Sequence, residues 1–196
     1  MGHHGNGQGE TIVNGTGKRP RLMEILRTES IKRGHFVLAS GRTSDYYLDC
    51  RRTTLHAEGA CLVGELVLAA LDRRGWNVAA VGGLTLGADP MATAAAIASH
   101  HAGRPVHAFL VRKETKAHGT GQRIERAPAA GTRVALVEDV ITTGGSSLIA
   151  YDACREAGLE VAGLVALVDR EEGGRAELES RGIQVEALFT ARELLG

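Results

Sequence analysis

The stretch VALVEDVITTGGSS, at positions 134–147, carries the densest chemistry in the sequence. Apolar residues suited to a buried strand run into two adjacent carboxylates, Glu138 and Asp139. Thr142, Thr143, Gly144, Gly145, Ser146 and Ser147 follow and lead into a helix-like pattern. Hydroxyls and glycine-opened backbone N–H groups at a helix start, where the dipole favours negative charge, make a cradle for an anion. Two acids beside such a cradle would repel a bare phosphate. They suit a ligand that carries hydroxyls next to its phosphate, as a ribose 5-phosphate does. Glu138 and Asp139 would accept from the 2′- and 3′-hydroxyls while residues 142–146 hold the phosphate. A capping turn with solvated acids is the plainer reading of TTGGSS alone, but the ordered string from strand to acids to glycines to helix favours the ligand. It is neither a GxxxxGK[ST] loop nor a GxGxxG turn.

A second group is cationic. Residues 113–132, KETKAHGTGQRIERAPAAGT, form a polar connection of 20 residues between two apolar runs. Connections of that length inside a compact domain are usually functional or disordered. Arg112, Lys113, Lys116 and His118 fall within seven positions, which points to a highly charged anion rather than to an idle insertion. A further cation, Arg170 in VDREEGG, reads by itself as a surface ion pair with Glu171 or Glu172.

The elements that must position these groups alternate along the chain. Leu22, Ile25 and Leu26 are spaced for a helix over Arg21 to Arg33, stopped by Gly34. Two strand-like runs flank Ser40–Gly41 and predict a hairpin or small antiparallel element. A long helix is expected from Ala57 to Arg74, ended by Gly75. Strands are then expected at 78–83, 106–112, 133–139, 161–169 and 183–189, with helices near 88–101, 145–157 and 174–181. Short apolar strands separated by helices predict an α/β fold with a mostly parallel central sheet flanked by helices. Such sheets bind ligands beyond the carboxyl ends of their strands, which is where Glu138 and Asp139 fall.

Composition bounds the partners. The chain has 196 residues, with 23 Lys+Arg against 23 Asp+Glu. Zero net charge gives no general reason to expect nucleic acid or an anionic membrane as a partner, though it leaves room for a local basic site. No apolar run reaches the roughly 18 residues of a membrane span. The 26 glycines are about 13% of the chain, against a usual ~7%. Six lie in the first 17 residues, where a polar composition predicts a disordered tail over 1–19. His3 and His4 there are expected to be inert. Cys50, Cys61 and Cys154 show no paired spacing and no export signal precedes them, so unpaired thiols in a reducing cytoplasm are expected, acting as small buried hydrophobes.

VALVEDVITTGGSS resembles the phosphoribosyl-pyrophosphate (PRPP) motif of the type I phosphoribosyltransferases, and RKETKAHG, 112–119, resembles the mobile catalytic loop of the orotate-specific members. FVLASGRTSDYYLD (36–49) and LVDREEGG (167–174) are similar to the hood segment and late strand–loop of those enzymes. The resemblance runs from about residue 20 to the end of the chain and implies one domain over 20–196, with a small N-terminal hood near 20–55 and a core near 56–196. It implies transfer of ribose 5-phosphate from PRPP to N1 of orotate, giving orotidine 5′-monophosphate and pyrophosphate in pyrimidine (UMP) biosynthesis. Mg²⁺ is implied as cofactor, carried mostly by PRPP and water rather than by protein ligands. A cytoplasmic homodimer with shared active sites is also implied.

By the same resemblance PRPP is bound by Arg112, Lys113, Lys116, His118, Glu138, Asp139, Val140, Ile141, Thr142, Thr143, Gly144, Gly145 and Ser146. Lys116, His118 and Asp139 are the catalytic residues, with His118 able to protonate the leaving group. Thr142 and Arg170 bind orotate, and Tyr47 and Leu48 lie where the hood meets the base. Two cations common in relatives are missing: Ala39 stands in LASG and Leu86 in GGLTLGADP. Gly82, Gly83 and Gly87 are expected to offer backbone N–H groups to the pyrophosphate instead. A transferase for another nucleobase and a non-catalytic PRPP sensor are the alternatives. The RKETKAHG loop weighs against the first, and the intact loop with zero net charge weighs against the second.

Overall fold

Alternation along the strands sorts the core into two apolar layers. In the computed structural model, which describes residues 17–37, 43–114 and 123–196, strand β6 (Arg133–Ile141) shows this directly. Ala135 and Val137 face one layer, while Val134 and Leu136 face the other. The first layer is closed by α1 (Lys18–Ile25), α3 (Ala57–Arg73) and α4 (Ala88–His101). The second is closed by α5 (Gly145–Glu156) and α6 (Gly174–Ser180). Between them lies a six-stranded sheet in the order β5-β4-β3-β6-β7-β8. Its remaining strands are β3 (Ala80–Leu84), β4 (His107–Val111), β5 (Ile124–Glu125), β7 (Glu160–Asp169) and β8 (Val185–Thr190). Only β5 pairs antiparallel. The parallel strands place their carboxyl ends on one edge, so the ends of β3, β6 and β7 share a rim.

Over that rim sits a hairpin, β1 (Ile31–Val37) paired antiparallel with β2 (Thr43–Leu48). It leads into a one-turn helix, α2 (Arg51–Thr54), and Ser30 and Thr53 share a buried 2.7 Å hydroxyl contact beneath it. Arginines fasten this N-terminal part to the end of the chain. Arg19 Nε donates to the Leu188 carbonyl, Arg27 to the Glu193 and Leu194 carbonyls, and Arg33 to that of Leu195. Leu195 closes α7 (Ala191–Leu195), whose start carries a reciprocal Thr190–Glu193 capping box.

The structure departs from the expected elements in several places. The first helix begins at Lys18, inside the expected tail, because Lys18 and Arg19 find partners in Glu65 and Glu193. It ends at Ile25 rather than Arg33. Thr28 Oγ1 bonds back to the Glu24 and Ile25 carbonyls, a π-type turn covers Leu26–Ser30, and Ile31 pairs with Leu48 in the hairpin. Residues 1–16 lie outside the described ones. So do 38–42, including Ala39, and 115–122, including Lys116 and His118. No helix among the described residues is long and apolar enough to cross a membrane.

Candidate active site

Glu138 and Asp139 occupy the last turns of β6, and alternation sends their side chains to different surroundings. Glu138 is 5% exposed and accepts from Ser147 Oγ at 2.9 Å. Ser147 lies in the first turn of α5, so the helix that starts at the glycines also holds the inner acid. Asp139 Oδ1 accepts from the Val140 backbone N–H at 2.9 Å. Both border a cleft of about 430 Å³ closed by Tyr47, Arg51, Gly87 and Arg170. Burial, and then the neighbouring Asp139 carboxylate, push Glu138 well above the ordinary carboxylate range. Burial raises Asp139 as well, opposed by the Val140 N–H and by Arg51.

This pair sets a pH dependence. A raised carboxyl pKa means that the folded chain holds a proton the unfolded chain releases, so stability falls as pH climbs above the ordinary carboxylate range. In Glu138→Gln, which keeps an acceptor for Ser147 but carries no charge, thermal melts of ligand-free protein should fall less steeply from about pH 5 to about pH 9. The variant should gain about 2–4 °C at the alkaline end for each kcal/mol of relieved burial cost. Equal slopes for the two proteins would place the penalty elsewhere.

The anion cradle forms where β6 gives way to α5. Gly144 has φ of 83° and caps the helix, a left-handed conformation that glycine adopts without strain. The Thr142 carbonyl is tied to Gly174 N at 2.9 Å. Thr142 and Ser146 line the cleft, with exposed Thr143 and Gly145 beside them at the helix start. Val140 also lines it. Ile141 does not: its side chain is 1% exposed and packs in the second core layer. It serves the site through its carbonyl, which accepts from Arg170 N at 2.9 Å.

Arg170 enters the cleft from the turn after β7. Asp169 shapes that turn by accepting from Glu171 N at 2.8 Å and from Arg175 Nε at 2.9 Å. The Arg170 side chain is only 8% exposed, and its Nη2 lies 2.9 Å from Glu172 Oε1. The ion pair expected for an isolated arginine is present, but it is buried at the cleft wall rather than solvated.

Of the cationic group, Arg112 and Lys113 fall within the described residues, and neither lines the cleft. Arg112 Nε donates to Glu125 Oε1 at 2.6 Å, across the β4–β5 pair. Lys113 is exposed. The glycines also divide. Gly82 and Gly83 lie inside β3, between β4 and β6, where added Cβ atoms would strike the Phe109 and Val137 carbonyls. They are packing residues, and their central strand spends its N–H groups on its neighbours. Gly87 alone of the three lines the cleft, and a Cβ there would collide with Asp139 Oδ1. The preceding Thr85–Leu86 peptide is cis.

Arg51 and Cys50 are among the cleft residues that the sequence reading did not place there. Arg51 on α2 reaches the rim, its Nε 2.9 Å from Asp49 Oδ1. The run DCRR directly after a hood strand was the available signal. Cys50 also lines the cleft, where burial pushes its thiol well up. Burial raises Cys154 to about 12; both are buried as expected of small hydrophobes, whereas Cys61 is exposed on α3. Another hollow of about 470 Å³ opens near Trp76, with Arg104 and Asp72 ion-paired beside it. It contains no residue singled out for chemistry.

A parallel sheet whose third inner strand ends in paired acids, a glycine-opened helix start and an overlying hairpin define a type I phosphoribosyltransferase fold. No protein-family model matches the chain. A curated protein from Aquifex aeolicus, named orotate phosphoribosyltransferase, is 45% identical over 181 residues, covering 91% of this chain and 98% of its own. One of the same name from Rhodopirellula baltica is 43% identical over 176 residues, covering 88% and 91%. The crystal structure of Mycobacterium tuberculosis orotate phosphoribosyltransferase in complex with PRPP superposes with a TM-score of 0.78 at 39% identity, covering 91% and 99%. The chain belongs to the orotate phosphoribosyltransferase family.

Proposed function

We propose that the protein transfers ribose 5-phosphate from PRPP to N1 of orotate, releasing orotidine 5′-monophosphate and pyrophosphate in pyrimidine (UMP) biosynthesis. The observation that carries this is the convergence, in one cleft, of the Glu138–Asp139 pair, the α5 start and buried Arg170. The ribose hydroxyls donate to the two acids, and the 5-phosphate sits against the N–H groups and hydroxyls of residues 142–146. The orotate carboxylate meets Arg170, a planar cation suited to a planar anion, with Thr142 beside the ring. The bond from C1 to pyrophosphate breaks as N1 attacks, so positive charge grows on the sugar and negative charge on the leaving group. Asp139, close to the sugar, stabilises the first, and Arg112, Lys113, Lys116 and His118 are assigned to the second.

Mg²⁺ belongs to this reading as a companion of the pyrophosphate. Among the described residues no cluster of three or more His, Cys, Asp or Glu side chains could cage a metal. Oxygen-rich pyrophosphate and water fit Mg²⁺ better than a protein cage would. When bound, the ion neutralises leaving-group charge. A cytoplasmic setting is proposed on the three free thiols.

We also propose a homodimer. Leu55, Leu86 and Ile97 are 72%, 70% and 55% exposed and border an apolar hollow of about 610 Å³. Arg51 and Leu86 border both this hollow and the cleft, so a second copy seated there would abut the active site. Ile97→Asp should shift the protein toward monomer in sedimentation velocity, with turnover falling in parallel. An unchanged sedimentation coefficient would move the interface elsewhere.

The activity is tested with purified protein, PRPP, Mg²⁺ and orotate by following the loss of orotate absorbance. Turnover is expected. Inertness toward orotate with turnover of a purine base would replace this reading, and inertness toward every base would favour a PRPP sensor.

A further inference from the structure

Arg170 is held by a residue that does not line the cleft. Along β2, Ser44, Tyr46 and Leu48 turn inward while Asp45 and Tyr47 turn out. The inward Tyr46 ring packs on the first core layer and also stacks with Arg170, whose Cζ is 4.9 Å from the ring centroid. Ser44 Oγ donates to the Tyr46 carbonyl at 2.8 Å, which fixes the strand at this point. Glu172 pairs with one guanidinium nitrogen, and the Arg170 backbone is tied to β6. Yet Arg170 Nε is buried with no hydrogen-bond partner among the described residues. A buried guanidinium with an unsatisfied donor is costly unless a ligand completes it. An aromatic face beneath such a cation both lowers that cost and fixes the guanidinium plane.

We propose that Tyr46 is a positioning residue, which orients the Arg170 guanidinium and so sets the preference for a base bearing a carboxylate over an uncharged base of the same shape. The inference rests on the orotate reading of the cleft. Tyr46 belongs to the hood and Arg170 to the core, so the stack also makes base recognition depend on the hood being seated.

The test uses the full chain and three readouts: KM for orotate, KM for PRPP, and inhibition by the carboxamide analogue of orotate. Tyr46→Leu fills the space without a π face, and Tyr46→Phe keeps the face. In the leucine variant the orotate KM should rise about tenfold, with kcat and the PRPP KM within about twofold of wild type. Inhibition by the neutral carboxamide should not change, and the phenylalanine variant should behave as wild type. A merely structural role would weaken orotate and its carboxamide alike, and that outcome overturns the proposal, as does an unchanged orotate KM. If thermal melts show that Tyr46→Leu does not fold, Tyr46→Met, an unbranched filler, carries the same comparison. A wild-type protein that binds the carboxamide but turns over no orotate would sink the functional reading itself, which is a different failure.

Discussion

Lys116→Ala should lower kcat by about 10²–10³-fold while leaving the KM for PRPP close to wild type. The expectation comes from charge. Departure of pyrophosphate gathers negative charge that no neutral group can match, and the cleft's own cations are already paired, Arg51 with Asp49 and Arg170 with Glu172. Positions 39 and 86 hold the uncharged Ala39 and Leu86, and Arg112 is engaged by Glu125. Gly82 and Gly83, buried within β3, do not make up the deficit. The share proposed above for Lys116 and His118 is correspondingly large. Lys116 lies outside the described residues, so the assignment rests on its place in RKETKAHG. Steady-state kinetics at saturating orotate checks it, and an unchanged kcat would strip Lys116 of this role.

Asp139→Asn should reduce kcat/KM for PRPP by about 10–100-fold, the worth of a charge-assisted hydrogen bond of ~1.5–3 kcal/mol. The fold should survive, because Asp139 faces the cleft and bonds only locally, to the neighbouring Val140 N–H and Glu138 side chain. Gly87→Ala offers an independent approach to the same group. Its new methyl would displace the Asp139 carboxylate without removing the charge. Both variants should lose PRPP efficiency while their thermal melts stay cooperative. Wild-type efficiency in both would return Asp139 to a mere helix-side acid.

What could be read from the sequence was whatever lies in one continuous string. The strand, acids, glycines and helix of 134–156 are consecutive, so alternation followed by Gly144 at the turn was enough to place the strand-to-helix junction. Helices α3 and α4 were legible because long apolar periodicity leaves few alternatives. Contacts between distant segments were not legible. Gly82 and Gly87 are the same residue type five positions apart, and only the approach of the Phe109 carbonyl to one and of Asp139 to the other separates their roles. Ile31 fits a continuing helix until Leu48 is brought beside it. The two residues of β5 owe their conformation to the edge of β4. Helix α7 was a different kind of miss, since its capping box, Thr190 to Glu193, is local and visible.

The arginine fastenings between the N-terminal part and α7 have a consequence for synthesis. Arg19, Arg27 and Arg33 leave the ribosome early, but their carbonyl partners at Leu188, Glu193, Leu194 and Leu195 are made more than 150 residues later. Contacts so far apart in sequence form late and slowly. The first part of the domain to be translated is thus the last to be secured. Until α7 emerges, a nascent chain can hold a complete β6–α5 junction while the hairpin that carries Tyr46 and Tyr47 still lacks its anchor.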